Sequence, residues 1–288
     1  MSLAARSSFE YYYYYPSLAA AVIFIVCFLL TTLLHTYQLI RTKTWFFIPF
    51  VIGGYFEWIG YCARAISSNQ SPNWTLGPFL IQSLLPLVAP SLFAASVYME
   101  LGRLIIILHA QKYSLIRVNW LTKTFVTGDV LSFLLQAGGA GLMSSHSESG
   151  VQTGSHVIVV GLVVQILFFG FFIISTGIFH NRMNNNPTSY SLGSGINWQK
   201  LIWVLYSASV LILVRSVYRL VEYIEGFGGY LISHEAYLYV FDALLMFVVM
   251  LIFHVVHPSE LNAWLNSGGL VSKGFRFERL RGGEVPIN

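Results

Sequence analysis

Read for apolar and polar positions, the chain is a succession of long apolar runs separated by short polar breaks. A bilayer's hydrocarbon core of ~30 Å needs about 20 apolar residues per crossing helix. Seven runs meet that length: about Ser17 to Ile40, Phe46 to Ile66, Leu76 to Leu108, Thr122 to Met143, Ser155 to Phe179, Lys200 to Tyr223 and His234 to Val256. The third is too long for one straight crossing and holds Pro78, Pro86 and Pro90. Proline inside a helix removes a backbone donor and kinks the axis, so a bend, or a start outside the apolar layer, is expected there. The connections are short. The longest, His180 to Gln199, is rich in Asn, Ser and Gly and reads as a flexible polar loop. The expected organisation is an all-α, polytopic membrane protein: a tail at 1–16, a seven-helix domain at 17–256, and a polar, glycine-containing tail at 257–288 with no regular structure.

Composition sharpens this picture. Of the 288 residues, 56% are hydrophobic and 10% charged, with a mean hydropathy of +0.65. Soluble domains carry about 25% charged residues, so these few could not cover a globular surface. Lys and Arg then set the orientation. They occupy the first loop (Arg41, Lys43), the third (Lys112, Arg117, Lys123), the fifth (Arg182) and the tail (Lys273, Arg276, Arg279, Arg281). The second, fourth and sixth loops have none, and the N-terminal tail has only Arg6. The N-terminus is therefore expected outside and the C-terminus in the cytosol. The pI of about 9.0 follows membrane sidedness and is no sign of nucleic-acid binding. The charge order around the first run is the reverse of a cleavable signal peptide's, so that run is expected to stay as a helix. Two glycosylation patterns in the second loop, at Asn69 and Asn73, agree weakly with an outside location. Tyr11 to Tyr15 suit an interfacial aromatic belt. Cys27 and Cys62 lie in apolar runs and suggest no extracellular disulfide.

The charges left inside the spans carry the chemistry. An ionisable group at a helix centre costs ~2.5–3.5 kcal/mol on insertion scales and usually faces the bundle interior or a wet cavity. Glu57, Tyr61 and Arg64 form one stripe at helical period on the second span. Asp129 and Gln136 are an i, i+7 pair on the fourth. Arg215, Arg219 and Glu222 form a stripe on the sixth, and Glu235 and Asp242 are again i, i+7 on the seventh. With the N-terminus outside, most fall in the outer half, Glu57 lies nearer the middle and Asp129 nearer the cytosol. Three arginines among several carboxylates at similar depth imply mutual pairing, in a polar cluster opening toward the outer leaflet. Two readings stand: interhelical glue, or a binding site for the polar head of a substrate. Gly138-Gly139-Ala140-Gly141 suggests close approach of a neighbouring helix, or else backbone opened to line the site.

Several segments carry a family likeness. They are Glu57 to Arg64, Gln82 through Ala89-Pro90 to Tyr98, Gly128-Asp129-Val130 to Gly139, Gly161 to Gln165, Arg215 to Tyr223, Glu235 to Asp242, and His257-Pro258. In order and spacing the chain resembles the fungal lipid-translocating exporters, the RTA-like seven-helix proteins, over about Pro16 to Glu260. The resemblance implies a fungal multi-pass protein, usually of the plasma membrane, linked to moving amphipathic lipids: sphingoid bases, phospholipids, sterol-like drugs or porphyrins. Its expected partners are membrane lipids and an amphipathic lipid substrate, with no nucleic acid. A homo-oligomer or a cytosolic partner stays open.

Other classes share parts of this plan. A lipid sensor signalling to the cytosol fits the same plan. Glu100-Leu101-Gly102-Arg103 replaces the Asp/Glu-Arg-Tyr triplet of G-protein-coupled receptors, and no lysine lies in a helix core to bind retinal. No Gly-Lys-Ser/Thr phosphate loop is present, which argues against ATP hydrolysis by this chain. His35, His254 and His257 with Asp129 would be the ligands of a zinc hydrolase, the least favoured reading. The expectation is a non-enzyme without cofactor or metal.

Overall fold

The computed structural model of the chain describes residues 16–70, 73–143, 148–193, 196–226, 229–266 and 268–281. The N-terminal tail with Arg6 and Tyr11–Tyr15, Ser71 of the first glycosylation pattern, and the last seven residues lie outside the described part. Among the described residues, seven helices are long and apolar enough to cross a membrane. They are α1 (Leu18–Thr42), α2 (Ile48–Asn69), α3 (Leu76–Ile107), α4 (Val118–Met143), α5 (Glu148–Asn185), α6 (Trp198–Glu225) and α7 (Glu235–Val255). The tail adds α8 (Ser259–Leu265) and an antiparallel hairpin of β1 (Gly268–Lys273) and β2 (Arg276–Arg281), with Gly268 opposite Arg281 and Lys273 opposite Arg276.

Local chemistry sets the helix ends. The Ser17 hydroxyl accepts from the Ala20 N–H at the start of α1, and Lys43 ends that helix in the left-handed region. Asn197 caps α6 by accepting from the Lys200 N–H. Gly226, at φ 73°, stops it in a conformation other residues rarely adopt. α3 is one helix through Pro86 and Pro90. α3 is also the central element, packing on α2, α4 and α6, while α1 lies against α2 and α7, and α5 against α4 and α6. Aromatic side chains fill the interior: Phe47 stacks on Phe50 at 4.3 Å, and Phe50 meets Phe93 and Phe253. Outward positions such as Ile23, Leu134 and Leu167 are apolar and exposed. A soluble protein could not carry that many, but hydrocarbon solvates them. The protein is a multi-pass membrane protein.

Two expectations need correction. α5 extends past Phe179 to Asn185, and a helical turn at Ser189–Gly193 follows, so the expected flexible loop is partly helical. The reason is a buried stripe at helical spacing, Phe172, Thr176, Phe179 and Met183, which the surrounding Asn and Arg residues mask. The tail is ordered as far as Arg281. Gln38 Nε2 on α1 donates to Ser272 Oγ (2.9 Å) and to the Gly274 carbonyl (3.1 Å). The Ser272 N–H reaches Ser259 Oγ at 2.9 Å, and Asn262 Nδ2 reaches the Thr42 carbonyl at 3.3 Å. Buried Leu261 and Val271 complete the docking. The tail thus covers the end of the bundle that carries the α1–α2 and α3–α4 connections, called the basic end below.

Candidate functional site

Near the opposite end, α2, α6 and α7 bring together eight of the ten candidate residues. Asp242 is the centre. Arg215 Nε donates to its Oδ1, and Arg219 Nη2 lies 3.3 Å from its Oδ2. Arg219 Nη1 also donates to Glu222 Oε2 at 2.6 Å, and the Tyr218 hydroxyl donates to Glu222 Oε1 at 3.3 Å. The Arg215 side chain has no solvent exposure, so burying it uncompensated would be costly. α3 supplies the rest of the compensation. A helical carbonyl normally accepts from the N–H four residues on, but the residue four past Pro86 is Pro90, which has no N–H. The freed Pro86 carbonyl accepts from Arg215 Nη2 at 2.6 Å. The two prolines thus create the acceptor that holds the arginine.

A second ion pair lies beside the first. Arg64 Nη2 meets Glu235 Oε1 at 2.8 Å, and Arg64 Nε donates to the Tyr239 hydroxyl at 3.1 Å. Both Glu235 oxygens accept from the Ser17 N–H, at 2.9 and 3.0 Å, and Ser68 Oγ donates to the Pro16 carbonyl at 2.6 Å. These bonds clamp the start of α1 to α2 and α7. Aromatic rings line the inner side: Phe24 stacks on Tyr239 at 5.3 Å and Phe28 on Tyr61 at 5.4 Å. Asp242 and Tyr239 sit in a π-helical turn, Tyr239–Leu244, inside α7. Such turns recur at functional sites.

Counting charges isolates one residue. Glu222, Glu235 and Asp242 each have an arginine within 3.3 Å. Glu57, buried within electrostatic reach of Asp242, Arg215 and Arg219, forms no ion pair among the described residues, and its Oε1 has no hydrogen-bond partner. Among the described residues it is the one buried carboxyl of the layer without a cation of its own. Space is scarce. The cavity bounded by Gly60, Tyr61, Arg64, Pro86, Arg219 and Asp242 holds about 10 Å³, close to the volume needed for one water. The cluster expected to open toward the outer leaflet is here a closed network.

Asp129 and Gln136 do not join it. α4 packs on α3 and α5, which puts them in a separate polar seam. Asp129 is buried beside the Tyr98 phenol without a hydrogen bond of ordinary geometry. Gln136 Nε2 donates to Ser132 Oγ (2.6 Å) and Gln165 Oε1 (3.1 Å), and Gln165 Nε2 donates to Ser91 Oγ (3.3 Å). Of the glycine cluster, only Gly139 makes a close approach. A Cβ there would lie 2.6 Å from the Gly154 carbonyl on α5, whereas Gly138 and Gly141 face open space. Sequence reasoning passed over Glu100, which is fully buried with neither oxygen hydrogen-bonded. It also passed over the Pro86 carbonyl, for which the Pro-x-x-x-Pro spacing was the available signal.

The suggested zinc ligands do not assemble. His35 lies 5.9 Å from His254 and 6.3 Å from His257 between ring centres, with its Nε2 committed to the Met250 carbonyl. Asp129 is on α4, away from them. Among the described residues, no group of three or more His, Cys, Asp or Glu side chains is placed to hold a metal ion.

Comparison with known proteins follows the same lines. No solved structure matches the chain. Three relatives come from Saccharomyces cerevisiae. Protoporphyrin uptake protein 1 is 46% identical over 219 residues, covering 76% of this chain and 71% of that protein. Protein RTA1 is 42% identical over 212 residues, covering 74% and 65%. The sphingoid long-chain base transporter RSB1 is 28% identical over 259 residues, covering 78% and 67%. The chain thus spans about two thirds of the length of these relatives. The family model described as RTA1 like protein matches residues 50–263, a range that contains all ten candidate residues of the two polar seams and the start of α8. The chain belongs to the RTA1-like family.

Proposed function

We propose that this protein moves amphipathic lipids across the plasma membrane, with its N-terminus outside, and that the charged layer of α2, α6 and α7 receives the polar head. One observation carries the reading: Glu57 is a buried carboxyl without a cation, set among ion pairs that are otherwise balanced. A long-chain base complements that carboxyl. Its ammonium complements Glu57, its hydroxyls suit Tyr61 and Tyr239, and its tail stays in the bilayer against apolar helix faces. The name of the relative RSB1 supports the same substrate class. The network is closed, so entry requires ion pairs to exchange partners. An arriving ammonium held by Glu57 that also draws on Asp242 frees an arginine, and the freed arginine can turn to the lipid's phosphate or carboxylate where there is one. This exchange needs no bond-making chemistry, in keeping with a carrier that is not an enzyme.

The test uses purified protein in liposomes, with transbilayer movement of a labelled sphingoid base, a phospholipid and protoporphyrin followed in parallel. Acceleration of at least one over protein-free liposomes is expected, and Glu57→Gln should abolish it while leaving the thermal transition in place. Folded protein that accelerates none of the three would overturn the proposal.

A further inference from the structure

A sizeable cavity lies at the other end of the bundle. Where α1, the α1–α2 connection, the end of α3 and the docked tail meet, they border an open cavity of about 820 Å³. That is the size of a small-molecule site. Among the described residues, four cations line it, Arg41, Lys43, Arg103 and Arg279, and no Asp or Glu does. None of the four is in an ion pair among the described residues. Converging like charges repel, and a fold that gathers them around a void supplies the field for an anion.

The cations are held in place before any ligand arrives. The Arg103 guanidinium lies 3.8 Å over the centre of the Phe46 ring and donates one bond back to the Met99 carbonyl at 3.3 Å. Arg41 is 5.9 Å from both the Tyr37 and Phe277 rings. Arg279 is fixed by strand register, opposite Leu270, which also lines the cavity. Along β2, Phe277 and Arg279 share the face turned to the bundle, and Arg276 and Glu278 share the other. Asn262 and Asn266 complete the lining, their side-chain amides donating to the Thr42 and Lys43 carbonyls and to Asn262. Guanidinium forks match the oxygens of a phosphate in pairs.

Depth indicates the source of such a phosphate. Trp45, exposed beside the cavity, is the residue type that marks the level of lipid head groups. We infer that this cavity binds a phosphomonoester anion, as displayed by a phosphorylated inositol lipid head group. Basic pockets between membrane helices are built for such heads. The tail hairpin is then one wall of a ligand site. This inference is independent of the transport reading, whose residues lie at the opposite end.

The experiment places the purified protein in phosphatidylcholine nanodiscs with a titrated fraction of phosphatidylinositol 4-phosphate. Phosphatidylserine discs of matched charge serve as the comparison, and soluble inositol trisphosphate forms a second arm. Saturable binding is expected, and Arg103→Gln and Arg279→Gln should each weaken it by roughly tenfold. Arg276→Gln removes the same charge from the other face of the hairpin and should leave binding unchanged. Saturation in the lipid arm assigns a membrane ligand, and saturation only in the soluble arm assigns a free phosphate; either supports the anion site. The inference is overturned if neither arm saturates, if phosphatidylserine binds equally, or if Arg276→Gln weakens binding as much as the cavity variants. Arg279 lies on an exposed strand, so its variant stays informative if Arg103→Gln fails to fold.

Discussion

Replacing Arg215 by methionine is the sharpest probe of the charged layer. The side chain is wholly buried and makes two charge-assisted bonds, one to Asp242 and one to the Pro86 carbonyl. Its loss leaves Asp242 with Arg219 alone, at 3.3 Å, and leaves the Pro86 carbonyl with neither its helical donor nor the arginine. Breaking a buried pair by removing one partner costs ~3–5 kcal/mol. An orphaned acceptor alone costs ~1–3 kcal/mol, part of which is already inside the first figure. Arg219 recovers some of the loss, so the expected net cost is about 3 kcal/mol. That is far above the ~0.6 kcal/mol average for an ordinary hydrogen bond between membrane helices. In thermal unfolding of purified protein it corresponds to a fall of roughly 10 °C. The double variant Arg215→Met/Asp242→Leu replaces the pair with apolar groups and should regain most of the loss, because such swaps are often neutral or stabilising. If the single variant unfolds within 2 °C of the wild type, to order of magnitude, or the double is as unstable as the two singles added, the pairing argument is wrong. The double also separates glue from function: a stable double variant that still translocates lipid would make the pair purely structural.

Three further outcomes are expected. Gly139→Val places a side chain against the Gly154 carbonyl and should destabilise the α4–α5 pair by ~1–3 kcal/mol in thermal unfolding, while Gly138→Ala, facing open space, should be silent; equal effects would refute the close-approach reading. Gln38→Leu removes the donor that holds Ser272 and the Gly274 carbonyl, so limited proteolysis should cut the hairpin much faster than in wild type; unchanged cleavage would mean that Gln38 does not hold it. His257, just outside α7, accepts from the Ser259 N–H through Nδ1, and burial, helped by His35 and His254, holds its pKa well below the ordinary value. The unfolded state therefore protonates first. The contribution of the neutral ring is complete above the ordinary histidine value of ~6.5 and falls as pH drops below it, by at most ~1.4 kcal/mol per pH unit. Hydrogen exchange at 268–281 should accelerate between about pH 6.5 and 5 relative to a His257→Phe variant, and a flat profile would exclude this role.

The seven crossings were legible because apolar length is a signal that needs no partner. The stripes Glu57–Tyr61–Arg64 and Arg215–Arg219–Glu222 were legible for the same reason, since helical period is local. Pairing was not. Nothing in the spacing of Asp129 and Gln136 distinguishes them from Glu235 and Asp242, and only the packing of α4 on α5 separates the two seams. Glu100 was passed over because Glu100-Leu101-Gly102-Arg103 reads only as a departure from a receptor triplet, whereas α3 carries its carboxyl into the interior. The hairpin was missed because Leu270, Val271, Phe275 and Phe277 are few among glycines and charges. Its order comes from contacts with α1, some 230 residues earlier, such as that from Gln38 to Ser272.

The π turn in α7 has a geometric consequence for the two ion pairs. In a regular α-helix, residues seven apart lie on nearly the same azimuth, so Glu235 and Asp242 would point the same way and compete for the same cations. A turn closed by i→i+5 bonding holds one residue more and swings the segments on either side of it about the axis. That swing aims Glu235 at α2 and α1 while Asp242 faces α6. Twist and charge partner are therefore one variable. If the turn tightened to α geometry, both carboxylates could not keep their present arginines, so release of either pair tends to rotate the helix out of register with the other.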